Sequence, residues 1–167
     1  MGVFMYLRFI FDRNIKIGRR SRISWSVLIK NSQGDIKLGN YFHAKRNTTI
    51  HAVGGSINID NNCFINESCE IVSMKRILIG KNCKIGPGVY IYDHNHGIFD
   101  RENYSKEEII IGDNVWIGAN AVILKGSHIG DNCIIGASSI ISGIIEDNCI
   151  VHNNNKLIIK SIIKGEE

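Results

Sequence analysis

The sequence predicts an all-β chain wound as a parallel solenoid, and three observations carry that expectation. Bulky aliphatic residues recur every six positions, from Ile111 through Ile117, Ile123, Ile129 and Ile135 to Ile141, without a slip. Glycine follows four of them, at Gly112, Gly118, Gly130 and Gly136. The same beat fills the first half in groups of three: Ile17, Ile23, Ile29; Leu38, Ala44, Ile50; Ile59, Ile65, Ile71; Ile79, Ile85, Ile91. A six-residue unit cannot bury its apolar face alone, so successive units must stack around one interior ladder of aliphatic side chains.

Grouping in threes makes each coil from three short strands. Group starts at 17, 38, 59 and 79 give coils of 21, 21 and 20 residues, against 18 in the later run, so spare residues are expected to bulge at one corner. Six coils at the parallel-strand spacing make a triangular prism about 30 Å tall. Asn, Asp and Gly gather at the unit ends, as in Gly80-Lys81-Asn82 and Gly130-Asp131-Asn132, where they suit left-handed or self-bonded turns. With 167 residues, 44% of them hydrophobic, and no flexible linker, residues 1–167 read as one domain. Its parts are a cap at 1–14, the β-helix at 15–152 with a loop at 92–110, and a tail at 153–167.

The cap holds an apolar run, Gly2 to Phe11, interrupted by Arg8; it is too short to span a bilayer and no small-residue cleavage site follows. It is expected to close the open first coil, with a membrane-surface anchor as the alternative, so no stable membrane insertion is expected. Within the coils, Cys63, Cys69, Cys83 and Cys133 share one phase, four residues after an aliphatic position, which suits small inward residues. Five cysteines without CxxC or Cys/His zinc spacing indicate neither disulfides nor a structural metal, and a cytoplasmic protein, or one peripheral to the inner membrane, fits best. In the tail, Leu157 to Lys164 alternates apolar pairs with Lys and reads as a short C-terminal helix. The net charge of +4 comes from Lys and Arg read as spread over the coils rather than gathered with aromatics, which suits an anionic small molecule and argues only weakly for nucleic acid, so no nucleic-acid partner is expected.

The beat breaks once. From Ile91 to Ile111 the step is 20 residues where six are due, so a polar loop beginning Tyr92-Asp93-His94-Asn95-His96 is expelled from a rigid body, where function is usually placed.

The run Ile111-Gly-Asp-Asn-Val-Trp-Ile-Gly-Ala-Asn-Ala-Val-Ile-Leu-Lys-Gly126, with this loop, resembles the left-handed parallel β-helix acyltransferases, in their sugar and polysaccharide O-acetyltransferase branch, over about residues 15–152. The resemblance implies left-handed coiling, a homotrimer, and acetyl-CoA as acyl donor in a groove between subunits, with a saccharide acceptor under the loop and no metal. It places the general base at His94, with Asp93 and His96 beside it as acceptor contacts and Asp93 also able to orient His94. Asn66 falls on an acceptor-binding asparagine, and Phe64 stands where the family usually has tyrosine. Trp116 falls on a tryptophan walling the pantetheine arm, while Gly118, Ala119, Gly136 and Ala137 fall where main-chain groups bond it. One of these amides, or one near Trp116, is the candidate oxyanion donor. Ser142 matches a further position in the groove. Past it the pattern departs: Gly143 replaces a common lysine and Glu146-Asp147 the usual proline pair, leaving Lys156 and Lys160 as candidates for the CoA phosphates. The alternatives are an N-acetyltransferase acting on an amino sugar or nucleotide sugar, a zinc enzyme of the γ-carbonic anhydrase type using His94 and His96, and a non-catalytic prism.

Overall fold

The computed structural model describes residues 12–97 and 103–152, so Lys156, Lys160, most of the cap and the expected C-terminal helix lie outside the described residues. The aliphatic beat becomes three parallel sheets visited in turn. Among the described residues, seven strands form the first face, seven the second and six the third, which makes six complete coils and two strands of another. Each inward residue stacks on its counterpart one coil away: Ile59 pairs with Ile79, Ile79 with Ile111, and Ile111 with Ile129. The ladder is buried along its length, from Ile29 to Ile141, and the four in-phase cysteines lie inside it. Every strand on every face finds parallel partners, so the backbone polar groups of a very narrow body are satisfied by the neighbouring coils.

The spare residues of the early coils do not bulge. They lengthen the strands on both sides of the corner between the third and first faces, so that Leu28–Ser32 pairs with Thr49–Val53 over five residues. On the first face they add a second buried column, Ile36, Ile57, Ile77 and Ile109. Continued pairing satisfies amides that a bulge would leave open, and it buries one more isoleucine per coil. The last coil is short: Ile145, not residue 147, pairs with Ile129, because Gly143 turns the corner at φ 87°.

The corners show why Gly and Asn alternate in the sequence. Asn82, Asn114 and Asn132 carry the left-handed backbone at φ 60°, 58° and 57°, and their side-chain amides bond one another from coil to coil. The glycine two residues earlier has another task. A Cβ on Gly112 would lie 2.3 Å from Asp131 Oδ1, the oxygen that accepts the Asp113 amide.

Candidate active site

The expelled segment is a hairpin rather than a free loop. His94–His96 pairs antiparallel with Tyr104–Lys106, placing His96 opposite Tyr104. Its root is closed by the Glu107 amide donating to the Asp93 carbonyl at 3.0 Å and by an ion pair from Lys125 to Glu107. The beat then resumes at Ile109–Ile111.

Asp93, expected to touch substrate, is wholly buried (0% exposed). It points inward at the corner where the chain leaves the coil, above Ser73. Its Oδ1 accepts the Met74 amide at 2.7 Å; its Oδ2 accepts the Lys75 amide at 2.8 Å and the Ser73 hydroxyl at 2.7 Å. The departing loop supplies no backbone acceptor at that corner, and each amide left unpaired would cost about 1–3 kcal/mol. The carboxylate takes that place and is closed to solvent, and the His94 Nδ1 lies 3.2 Å from its Oδ1. A carboxylate accepts, so Nδ1 carries the proton and Nε2 offers its lone pair. The ring of His94 is flanked edge-on by Tyr92 and Tyr104, each with its centroid 5.9 Å away. Burial, with a hydrogen bond to Glu70, pushes the Tyr92 phenol well above its usual range, so it stays a neutral wall. His96 is exposed and packs on Tyr104 at 4.6 Å.

A second constellation lies on the second face. Phe64, Lys84, Trp116 and Ile134 stack in one outward column. Two residues further along the same strands, the side chains run Asn66, Gly86, Gly118 and Gly136. The glycines cut an open trough of about 910 Å³ walled by Phe64, Trp116 and Ile134 on one side and Pro87 and Ala119 on the other. A Cβ on Gly86 would sit 2.8 Å from the Ala119 nitrogen, and one on Gly118 would sit 2.5 Å from the Ala137 nitrogen. Bare backbone is therefore the only floor that fits. Trp116 stands 54% exposed beside it. Asn66, which also lines the trough, accepts the Glu67 amide on its Oδ1 at 2.9 Å, so its Nδ2 is the end that can donate.

The amides of Trp116, Gly118 and Gly136 donate to Cys133, Ile135 and Val151 in the next coil, which removes them as oxyanion donors. At Ala119 the carbonyl accepts the Ser138 amide at 2.8 Å, while the Ala119 amide, like that of Ala137, donates to no backbone carbonyl. Of these two residues, Ala119 lines the trough.

The expected site residues thus fall into two groups. Phe64, Asn66, Trp116, Gly118, Ala119, Gly136 and Ala137 belong to the second face. Asp93, His94 and His96 stand at the corner beyond the third face, and Ser142 is exposed on that same corner two coils up, not in the trough. A strand of the third face separates the groups within each coil. Sequence reasoning missed Ser73, Tyr92 and Tyr104, whose roles depend on coil register and hairpin pairing and leave no local motif. Among the described residues no three His, Cys, Asp or Glu side chains gather as metal ligands.

Comparison with known proteins bears on the whole arrangement. Residues 108–143 match the family described as bacterial transferase hexapeptide (six repeats), and residues 56–93 match the hexapeptide repeat of succinyl-transferase. A protein of Escherichia coli (strain K12), named as the lipopolysaccharide biosynthesis O-acetyl transferase WbbJ, is 30% identical over 165 residues, covering 90% of this chain and 81% of that relative. The chain belongs to the hexapeptide-repeat acyltransferases. Among solved structures of such acyltransferases, a maltose O-acetyltransferase from Clostridium difficile 630 matches with a TM-score of 0.64 at 25% identity, covering 98% of this chain and 78% of that one. The hexapeptide-repeat acetyltransferase VCA0836 from Vibrio cholerae O1 biovar eltor, complexed with acetyl coenzyme A, matches with a TM-score of 0.57 at 25% identity, over 80% and 73% of the two chains.

Proposed function

We propose that the chain is an acetyl-CoA-dependent O-acetyltransferase whose acceptor is a saccharide hydroxyl, in a surface polysaccharide or lipopolysaccharide precursor. The observation that carries this reading is His94, its Nδ1 held by buried Asp93, at the root of the hairpin that leaves the solenoid among the described residues. The likeness to a protein named as a lipopolysaccharide O-acetyl transferase supports the acceptor class, and the likeness to an acetyl-CoA complex supports the donor.

In this mechanism the pantetheine arm lies along the glycine floor beside Trp116. Asn66 donates from Nδ2 to the acceptor oxygen and holds it in line, a gain in orientation rather than in chemistry. His94 Nε2 removes the hydroxyl proton as that oxygen attacks the thioester carbonyl. The Ala119 amide receives the oxyanion. The tetrahedral intermediate expels the CoA thiolate, which takes the proton back from the imidazolium, leaving an acetyl ester and free CoA.

Base and trough stand on different corners of one chain, so a second copy must bring its loop corner to the trough of the first. The third face supplies an apolar seam for this contact, with Leu28, Tyr90 and Ile140 exposed along it. A homotrimer closes the arrangement with each copy lending a base to its neighbour.

The test is release of CoA thiol from acetyl-CoA in the presence of a panel of sugars, nucleotide sugars and oligosaccharides. Thiol release that depends on a hydroxyl acceptor and yields an ester supports the reading. Release only with amino sugars moves the activity to N-acetylation, and no acceptor-dependent release overturns it.

A further inference from the structure

Positive charge is concentrated at one end of the prism, contrary to the even spread read from the sequence. Residues 12–50 hold nine Lys or Arg against two Asp, a net +7 where the whole chain carries +4. Part of this charge lines the second face directly below the trough. Arg22 and His43 continue the column of Phe64, and Lys45 continues that of Asn66. The His43 ring meets Phe64 edge-on at 5.2 Å, and Lys45 Nζ lies 5.7 Å from the centre of that same ring. Burial and the neighbouring charges of Arg22 and Lys45 hold the His43 pKa below its usual value. Arg46 is already paired with Glu67 at 3.2 Å.

The edge of this surface departs from the repeat at a cost. In the later coils the left-handed corner slot is filled by asparagine, which tolerates it and bonds the next coil. In the first two coils the slot holds Arg20 at φ 59° and Tyr41 at φ 58°. The two side chains bond each other, Arg20 Nη1 to Tyr41 Oη at 3.0 Å, with the guanidinium 5.6 Å from the ring centre. Together with Arg22 and His43 they line a shallow pocket of about 500 Å³. Bulky residues kept in a strained backbone slot mark a surface whose side chains are wanted for something besides folding. Across the face, Trp25 stands 78% exposed.

We propose that this surface is an extension of the acceptor site and selects a negatively charged saccharide. Aromatic rings flank it, and its cations lie one and two coils below Asn66, about 5 and 10 Å from the reacting hydroxyl. The charge it reads therefore sits on a neighbouring unit of the acceptor, as a carboxylate on an adjoining sugar or a phosphate linking the sugar to a carrier. The inference rests on the O-acetyltransferase reading only for what occupies the trough.

The experiment measures binding of three probes by calorimetry: trigalacturonic acid, UDP-galactose and neutral galactotriose. The variants are Arg22→Gln/Lys45→Gln and, as a control of equal charge on the first face, Lys16→Gln/Lys37→Gln. At least one anionic probe is expected to bind about tenfold or more tighter than galactotriose, with the advantage falling as salt rises. The second-face pair should remove that advantage, whereas melting and acetyl-CoA affinity stay as in the parent and the first-face pair changes little. Preference for trigalacturonic acid identifies a carboxylate, and preference for UDP-galactose a phosphate. If neither anion outbinds galactotriose, if the advantage survives in the second-face pair, or if the first-face pair loses as much, the proposal is overturned. A parent that binds the anions through Arg22 and Lys45 yet transfers no acetyl group refutes the activity and leaves this site standing.

Discussion

At the scale of single residues, the two histidines of the hairpin differ by what stands behind them. His94 has a buried carboxylate on Nδ1 and two tyrosine rings around it, whereas His96 is exposed against Tyr104. His94→Ala is expected to lower turnover by roughly 10²- to 10⁴-fold, the usual worth of a positioned base. Acetyl-CoA affinity should hold, since the trough belongs to other residues, and His96→Ala should do less harm. Turnover and acetyl-CoA affinity measured side by side decide this; the reverse order of effects would move the base to His96.

At the scale of elements, the trough and the corner ladder each make a prediction. Trp116 is half exposed, so Trp116→Ala should leave the melting temperature nearly unchanged. It should weaken acetyl-CoA by about 0.5–1.5 kcal/mol, up to roughly tenfold in Kd, the value of one aromatic contact. Equal affinity in a titration would remove Trp116 from the donor site. On the ladder, the Asp113 carboxyl is held below its usual pKa first by the Lys81 amide at 2.9 Å, with burial opposing and the Lys81 ammonium at 3.2 Å assisting. A depressed carboxylate contributes stability above its unfolded pKa, near 4, and that contribution is lost as pH falls through the folded value. Earlier coils use Asn40 and Asn61 as the same backbone acceptor. Asp113→Asn should therefore keep neutral-pH stability and flatten the acid limb below about pH 4, read from melting temperature against pH. An unchanged acid limb would show that the ladder carboxylate contributes nothing there.

For the whole molecule, the core is a narrow shaft of stacked aliphatic columns enclosed by three sheets, with little depth to absorb an error. Ile117 is 0% and Ile135 1% exposed. Replacing either by Asp buries an unpaired charge in a protein whose margin is about 5–15 kcal/mol, so both variants should fail to fold cooperatively in thermal or denaturant melts. A parent-like melt would refute the register. Light scattering should give a mass near 56 kDa, three chains of 18.7 kDa, and a monomer at micromolar concentration would leave His94 without the trough it is proposed to serve.

The six-residue beat by itself determined the fold class, the ladder from Ile17 to Ile141 and the point of departure after Ile91, because a solenoid's contacts are local and a fixed period leaves only one face to bury. Its reach ended where spacing changed. The spare residues became longer strands, not bulges, because pairing across the corner satisfies backbone amides, and the last coil slipped by two residues at Gly143. Only the tertiary structure decided the functional geometry. It turned Asp93 inward to cap Met74 and Lys75, tied the Trp116, Gly118 and Gly136 amides into the ladder, put Ser142 on the loop corner with His94 and set His94 apart from Asn66. These outcomes depend on which corner a residue occupies and which hydrogen bonds the next coil already takes, and neither is written in the period of the chain.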